Sequence, residues 1–116
     1  MLLISLLSAA AWLPQDAVLP SPKIDLIVEF VGGRDASRSA DFQAFLEANF
    51  TGVQMTSGAA LRSGKVPVSA LDDADVVIID TNLVGVLPAG FSKPLVAIGG
   101  SGVHTMEGIG AKADWL

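Results

Sequence analysis

Three stretches of this chain are nearly unbroken apolar runs of strand length: Ile24 to Val31, interrupted by Asp25 and Glu29; Val76 to Ile79, flanked by Asp75 and Asp80; and Leu95 to Ile98. A strand with one face in water alternates apolar and polar residues. Runs of this kind therefore call for cover on both faces, as in a parallel sheet packed between other layers. Each run breaks into turn formers, at Gly32-Gly33, at Asp80-Thr81-Asn82 and at Gly99-Gly100-Ser101-Gly102. A fourth segment, Gly52 to Thr56, alternates with a period of two and reads as a more exposed strand. The expected fold is α/β, with one parallel sheet of about four strands in order 2-1-3-4, right-handed crossovers and few flanking helices.

The connections are shorter on helix than such a sheet usually is. After the first strand, Phe42, Phe45, Leu46 and Phe50 fall at helical spacing and are read as a wedge onto the sheet, with Ser37 and Ser39 as N-cap candidates and Asp41 in the first turn. Ser57 to Pro67 has no sustained period and is expected to hold at most one helical turn, and Ser69 to Ala74 a single turn. Thr81 to Lys93 carries Gly85, Pro88 and Gly90 without an amphipathic pattern, so a loop-like crossing is expected there. Beyond the glycine turn, Val103, Met106 and Ile109 share one side of a short helix whose length Gly108 and Gly110 limit.

Charge and composition exclude several classes of function. Of the chain's 116 residues 51% are hydrophobic, and the net charge is −5 with 7 basic residues scattered along the sequence, so no basic stripe could track a nucleic-acid backbone. With no cysteine, disulfides, thiolate metal sites and cysteine nucleophiles are all out of reach. One histidine among dispersed carboxylates forms no metal-ligand pattern, and no cofactor is expected. Residues 1–17 begin with the apolar run Met1 to Leu13, too short for the roughly 20 residues of a spanning helix, and Ala9 and Ala11 form an A-x-A pair. They read as a signal peptide or hydrophobic N-terminal segment, 18–22 as a linker, and 23–116 as a single domain. The signal reading implies a secreted or periplasmic protein; without it the chain is cytoplasmic.

Candidate site residues gather at the carboxyl ends of the strands, where open α/β sheets bind ligands. These are Gly32, Gly33, Asp80, Gly99, Gly100, Ser101 and Gly102. Gly99-Gly100-Ser101-Gly102-Val103 approaches the G-x-S-x-G nucleophile elbow, with Val103 in place of the last glycine, which makes Ser101 a candidate nucleophile and His104 its base. The spacing counts against the pair, because a triad base normally approaches from another loop. The glycines themselves are read as serving φ > 0 or a close helix–strand approach, so that valine at Gly100 is expected to cost stability and alanine at Ser101 is not. Asp80 is expected to cap a turn or order the glycine loop. A phosphate cradle at this turn would lack both the Walker Lys-Ser/Thr pair and a full G-x-G-x-x-G.

Strand, helix, strand, then Ala74-Asp75-Val76-Val77-Ile78-Ile79-Asp80, then Lys93-Pro94-Leu95-Val96-Ala97-Ile98 followed by a turn and helix, resembles the glutamine-amidotransferase-like superfamily, including its intracellular-protease-like and trehalose-utilisation-like branches. The resemblance covers roughly Lys23 to Asp114 and implies a flavodoxin-like fold. It also implies an elbow cysteine after the Leu95 to Ile98 strand; Gly99 or Gly100 stands at that position, and Glu107-Gly108 resembles the Glu-Gly of the helix behind the elbow. The helix usually found between the third and fourth strands and the family's C-terminal portion have no counterpart, so 23–116 reads as a truncated, degenerate member. The expected function is a non-catalytic domain that binds a small molecule or a protein partner at the carboxyl edge of its sheet, with homo-oligomerisation open. The alternative is a serine hydrolase acting through Ser101 and His104.

Overall fold

A computed structural model describes residues 21–111. The expectations for 1–17 and most of 18–22, and the chain ending from 112 onward, lie outside the described residues. The elements follow in the order β1 (Ile24–Gly32), α1 (Ala36–Asn49), β2 (Phe50–Ser57), α2 (Gly58–Arg62), a 3-10 turn (Val68–Leu71), β3 (Val76–Ile79), β4 (Leu95–Ala97) and α3 (Gly99–Gly108). The four strands form one all-parallel sheet in the order β2-β1-β3-β4, the flavodoxin-like arrangement expected from the apolar runs. As expected, the crossing between β3 and β4 holds no helix.

Side-chain alternation along β1 divides the core in two. Val28 and Phe30 face α1 and pack with Leu46, with Phe42, Met55 and Ile78 around them. Phe30 and Phe42 stack with centroids 4.9 Å apart. Val31 faces the other way and joins Val77, Ile79, Leu61, Leu71, Leu83 and Leu87, so α2, the 3-10 turn and the β3–β4 crossing cover the second face. Truncating a fully buried leucine such as Leu46 in a core like this typically costs about 2–5 kcal/mol. Among the described residues α1 is the one helix against the first face, and Leu26 and Val96 stay exposed on the sheet. No helix of the described residues is long and apolar enough to cross a membrane.

The register starts irregularly and for a visible reason. Between Ile24 and Ile27 the pairing of β1 with β2 shifts. On the other side Asp75 brackets Ile27, its backbone N–H donating to Ile27 O at 2.8 Å and its carboxylate accepting the Ile27 N–H at 2.7 Å. Regular β1–β3 pairing then begins at Val28 opposite Val76.

Two local expectations need correction. The N-cap of α1 is Asp35, whose carboxylate accepts the Arg38 N–H at 3.0 Å, so Ser37 and Ser39 both lie inside the helix. The apolar wedge is also narrower than the spacing suggested: Phe42 and Leu46 turn inward, while Phe45 is 62% exposed. Val103 and Met106 of α3 and Ile109 just beyond it are all partly buried, while the fully buried positions of the helix are Gly102 and Thr105, because the helix approaches the strand ends too closely for a large side chain there.

Candidate functional site

The connections leaving the carboxyl ends of all four strands converge on a cleft of about 330 Å³. Gly33, Arg34, Asp35 and Arg38 come from the end of β1 and the start of α1, Arg62 from α2, Asp80, Thr81 and Asn82 from the end of β3, and Ser101 from the first turn of α3. The arginines, scattered in sequence, are not scattered here. The chain has three arginines, and all three line this cleft.

Two of those arginines are held in place. Arg38 presents its planar fork to Asp80, with Nε donating to Oδ2 at 2.6 Å and Nη2 to Oδ1 at 3.1 Å, the bidentate geometry that favours arginine over lysine. These hydrogen bonds and the Asp80 charge raise the Arg38 pKa above its ordinary value. The Arg38 guanidinium also lies 5.3 Å above the Phe42 ring, which links the pair to the stacked phenylalanines beneath α1. Asp80 thus anchors an arginine of the first connection, where capping a turn or ordering the glycine loop was expected. Arg62 Nη1 donates to Thr81 Oγ1 at 3.2 Å and to Asn82 O at 2.9 Å, which binds α2 to the end of β3. Among the described residues Arg34 makes no ion pair or side-chain hydrogen bond.

The turn after β4 fixes the fourth wall. Ile98 is the N-cap of α3 and contributes no side-chain hydrogen bond to the cap. Gly99 has φ of +68°, the left-handed conformation that glycine adopts most easily. Gly102 is small for another reason, since a Cβ there would stand 2.8 Å from Ile79 O and 3.1 Å from Ala97. Gly100 has neither requirement: its φ is not positive and a Cβ would meet nothing within 4 Å. The expectation that all three glycines are conformationally required therefore holds for Gly99 and Gly102 and fails for Gly100. Below them Thr105, fully buried, accepts the Leu83 N–H at 2.8 Å, and its hydroxyl lies 3.1 Å from both Thr81 O and Ser101 O. It joins α3 to the loop that carries Asn82.

Of the residues singled out in the sequence, Gly33, Asp80 and Ser101 meet in the cleft. Gly32 lines a neighbouring groove of about 320 Å³ between α1 and β2, which shares Gly33 and Arg34 with the cleft. Gly99, Gly100, Gly102 and His104 line neither. Ser101 and His104 ride three residues apart on α3; no hydrogen bond joins them among the described residues, and His104 Nδ1 lies 3.7 Å from Glu107 Oε2. No group of three or more His, Cys, Asp or Glu side chains among the described residues could hold a metal ion. Sequence reasoning missed Arg34, Asp35, Arg38, Arg62, Thr81 and Asn82. A usable signal was present, because every arginine falls in or beside a segment that follows a strand's carboxyl end.

Comparison with protein-family models, with curated proteins and with solved structures finds no match to this chain.

Proposed function

We propose that this chain is a non-catalytic α/β domain of amidotransferase-like descent that binds a small ligand in the cleft at the carboxyl edge of its sheet. The observation that carries the reading is the cleft itself, to which the connections after all four strands contribute polar side chains. Its volume is at the lower end of the roughly 300–1,000 Å³ of small-molecule sites.

The absence of catalysis draws its support from the strand–helix turn. In a nucleophile elbow the residue on the strained turn between strand and helix carries the attacking atom. Here that residue is Gly99, left-handed and without a side chain, while Ser101 lies two residues further on inside the helix. A base for Ser101 would have to reach it from another element, and His104 shares its helix.

The test has two arms. Incubation with a fluorophosphonate probe is expected to leave Ser101 unmodified, and a ligand screen followed by amide chemical-shift mapping is expected to move Gly33, Asn82 and Ser101 together. Stoichiometric labelling abolished by Ser101→Ala would make the domain a serine hydrolase. Ligands that map only to other surfaces would remove the cleft from consideration.

A further inference from the structure

We infer that the ligand of this cleft is an organic anion, a phosphate- or carboxylate-bearing small molecule, whose charged head is gripped by Arg34 and Arg62 while its body passes over Gly33 into the groove beside α1. The inference rests on the cleft reading above and adds a chemistry to it. A protein of net charge −5 concentrates all three of its arginines around one cleft, which none of the lysines among the described residues, Lys23, Lys65 and Lys93, lines. Lysine would serve equally well as a diffuse counter-charge on an acidic surface. Arginine alone offers a rigid fork matched to two oxygens of a carboxylate or phosphate.

The carboxylates of the cleft do not cancel this charge evenly. Asp80 is engaged bidentately by Arg38, and Asp35 is engaged at the start of α1 by the Arg38 N–H. The Arg38–Asp80 pair is thus a strut between the first and third connections. Arg62 is oriented through Nη1 alone, and among the described residues its Nε and Nη2 have no hydrogen-bond partner. Arg34 has no partner at all among them. Two guanidiniums with donors to spare therefore face one cleft, beside the Ser101 hydroxyl and the Asn82 side chain.

An inorganic anion would not use the rest of the surface. The neighbouring groove shares Gly33 and Arg34 with the cleft, and Ala36, Ala40 and the partly buried Met55 contribute to its lining, so an apolar or aromatic body can lie there while the head stays at the arginines. Gly33 forms the sill between the two, and even a Cβ at that position would stand 3.4 Å from Asp80 O.

The full chain is titrated, at matched ionic strength, with four probes of similar shape: phenyl phosphate, benzoate, benzyl alcohol and benzylamine, and with inorganic phosphate. Phenyl phosphate or benzoate is expected to shift the Gly33, Asn82 and Ser101 amides and to bind about tenfold or more weakly to Arg34→Ala and to Arg62→Ala, the effect of losing a charged hydrogen bond. Lys65→Ala, an exposed charge outside the cleft, is expected to bind as wild type does. Arg34 is exposed, so Arg34→Ala tests the grip even if Arg62→Ala folds poorly. Binding of benzyl alcohol or benzylamine as tight as that of the anions would overturn the anion inference and leave the cleft reading standing. Failure of every probe to reach the cleft would count against both. Anion binding that Lys65→Ala weakens as much as the arginine variants do would be general charge attraction and overturns the assignment to Arg34 and Arg62. Inorganic phosphate binding as tightly as phenyl phosphate would overturn the role given to the groove.

Discussion

Glu29 is the residue whose placement most needs a physical account. It stands in the middle of β1, 1% exposed, between Val77 of β3 and Gln54 of β2, and accepts a hydrogen bond from the Thr56 hydroxyl. Burial raises its pKa above the usual 4.5, and the Thr56 hydrogen bond only partly opposes that rise. The folded state therefore binds the Glu29 proton more tightly than the unfolded chain does. The stabilisation this supplies is complete below about pH 4.5 and is lost as pH rises through the folded-state value. Glu29→Gln keeps an acceptor for Thr56 without a charge to desolvate, so the melting temperature of the variant relative to wild type is expected to climb between about pH 4 and pH 7. A difference that stays flat, or that falls as pH rises, would show that Glu29 is ionised in the fold at no cost. From sequence alone Glu29 was legible only as an interruption of an apolar run. Nothing local in the sequence marks a carboxylate as buried, because its partner Thr56 belongs to another strand 27 residues away.

At the scale of elements, what could be read was what depends on neighbours in sequence. Strand existence followed from runs of apolar residues, and the parallel order followed from those runs needing cover on both faces. Helix phase and caps were less legible: Asp35 outcompetes Ser37 and Ser39 as the cap because the helix already begins at Ala36, and Phe45 falls outward although its spacing is helical. The cleft was the least legible part, since Arg38 meets Asp80 across 42 residues and Arg62 meets Thr81 across 19. The glycines of α3 show how a shared residue type can conceal different requirements. Alanine at Gly99 would take on a left-handed conformation at about 1 kcal/mol or more, and alanine at Gly102 would press its Cβ against Ile79 O. Alanine at Gly100 meets no neighbour and gains up to about 1 kcal/mol of helix propensity. Thermal melts are expected to rank Gly100→Ala above wild type and both Gly99→Ala and Gly102→Ala below it. In a domain of this size 1 kcal/mol corresponds to roughly 4–8 °C. A drop for Gly100→Ala like that of the other two would mean that the turn resists any side chain, for a reason beyond backbone angle and contact.

Over the whole molecule, stability is expected to be uneven, and the unevenness falls on the proposed site. β1 is hydrogen-bonded on both sides, to β2 and to β3, and its residues Val28, Phe30 and Val31 are fully buried. β4 is three residues long and pairs with β3. The helix that follows it holds four glycines within Gly99–Gly108, of which Gly100 and Gly108, with no positive φ to serve, each give up as much as about 1 kcal/mol of helix propensity relative to alanine, and its N-terminus has no side-chain cap. The β4–α3 unit should therefore open at a lower free energy than the β1–β3 centre, as the less stable parts of a domain do in native-state hydrogen exchange. Leu83 provides the deciding amide. It is fully buried within the second core cluster, yet its N–H is bonded to the Thr105 hydroxyl of α3 and not to a strand. If α3 lifts as a unit, the Leu83 amide should exchange with the α3 amides, at a smaller dependence on denaturant than Val31 or Ile79, despite being no more exposed than either. Because Ser101 belongs to the same unit, an anion held at the cleft should slow this class of amides more than it slows those of β1. Exchange of Leu83 in step with Val31, with or without the anion, would show that the sheet and α3 unfold as one body and that Thr105 joins them without a seam.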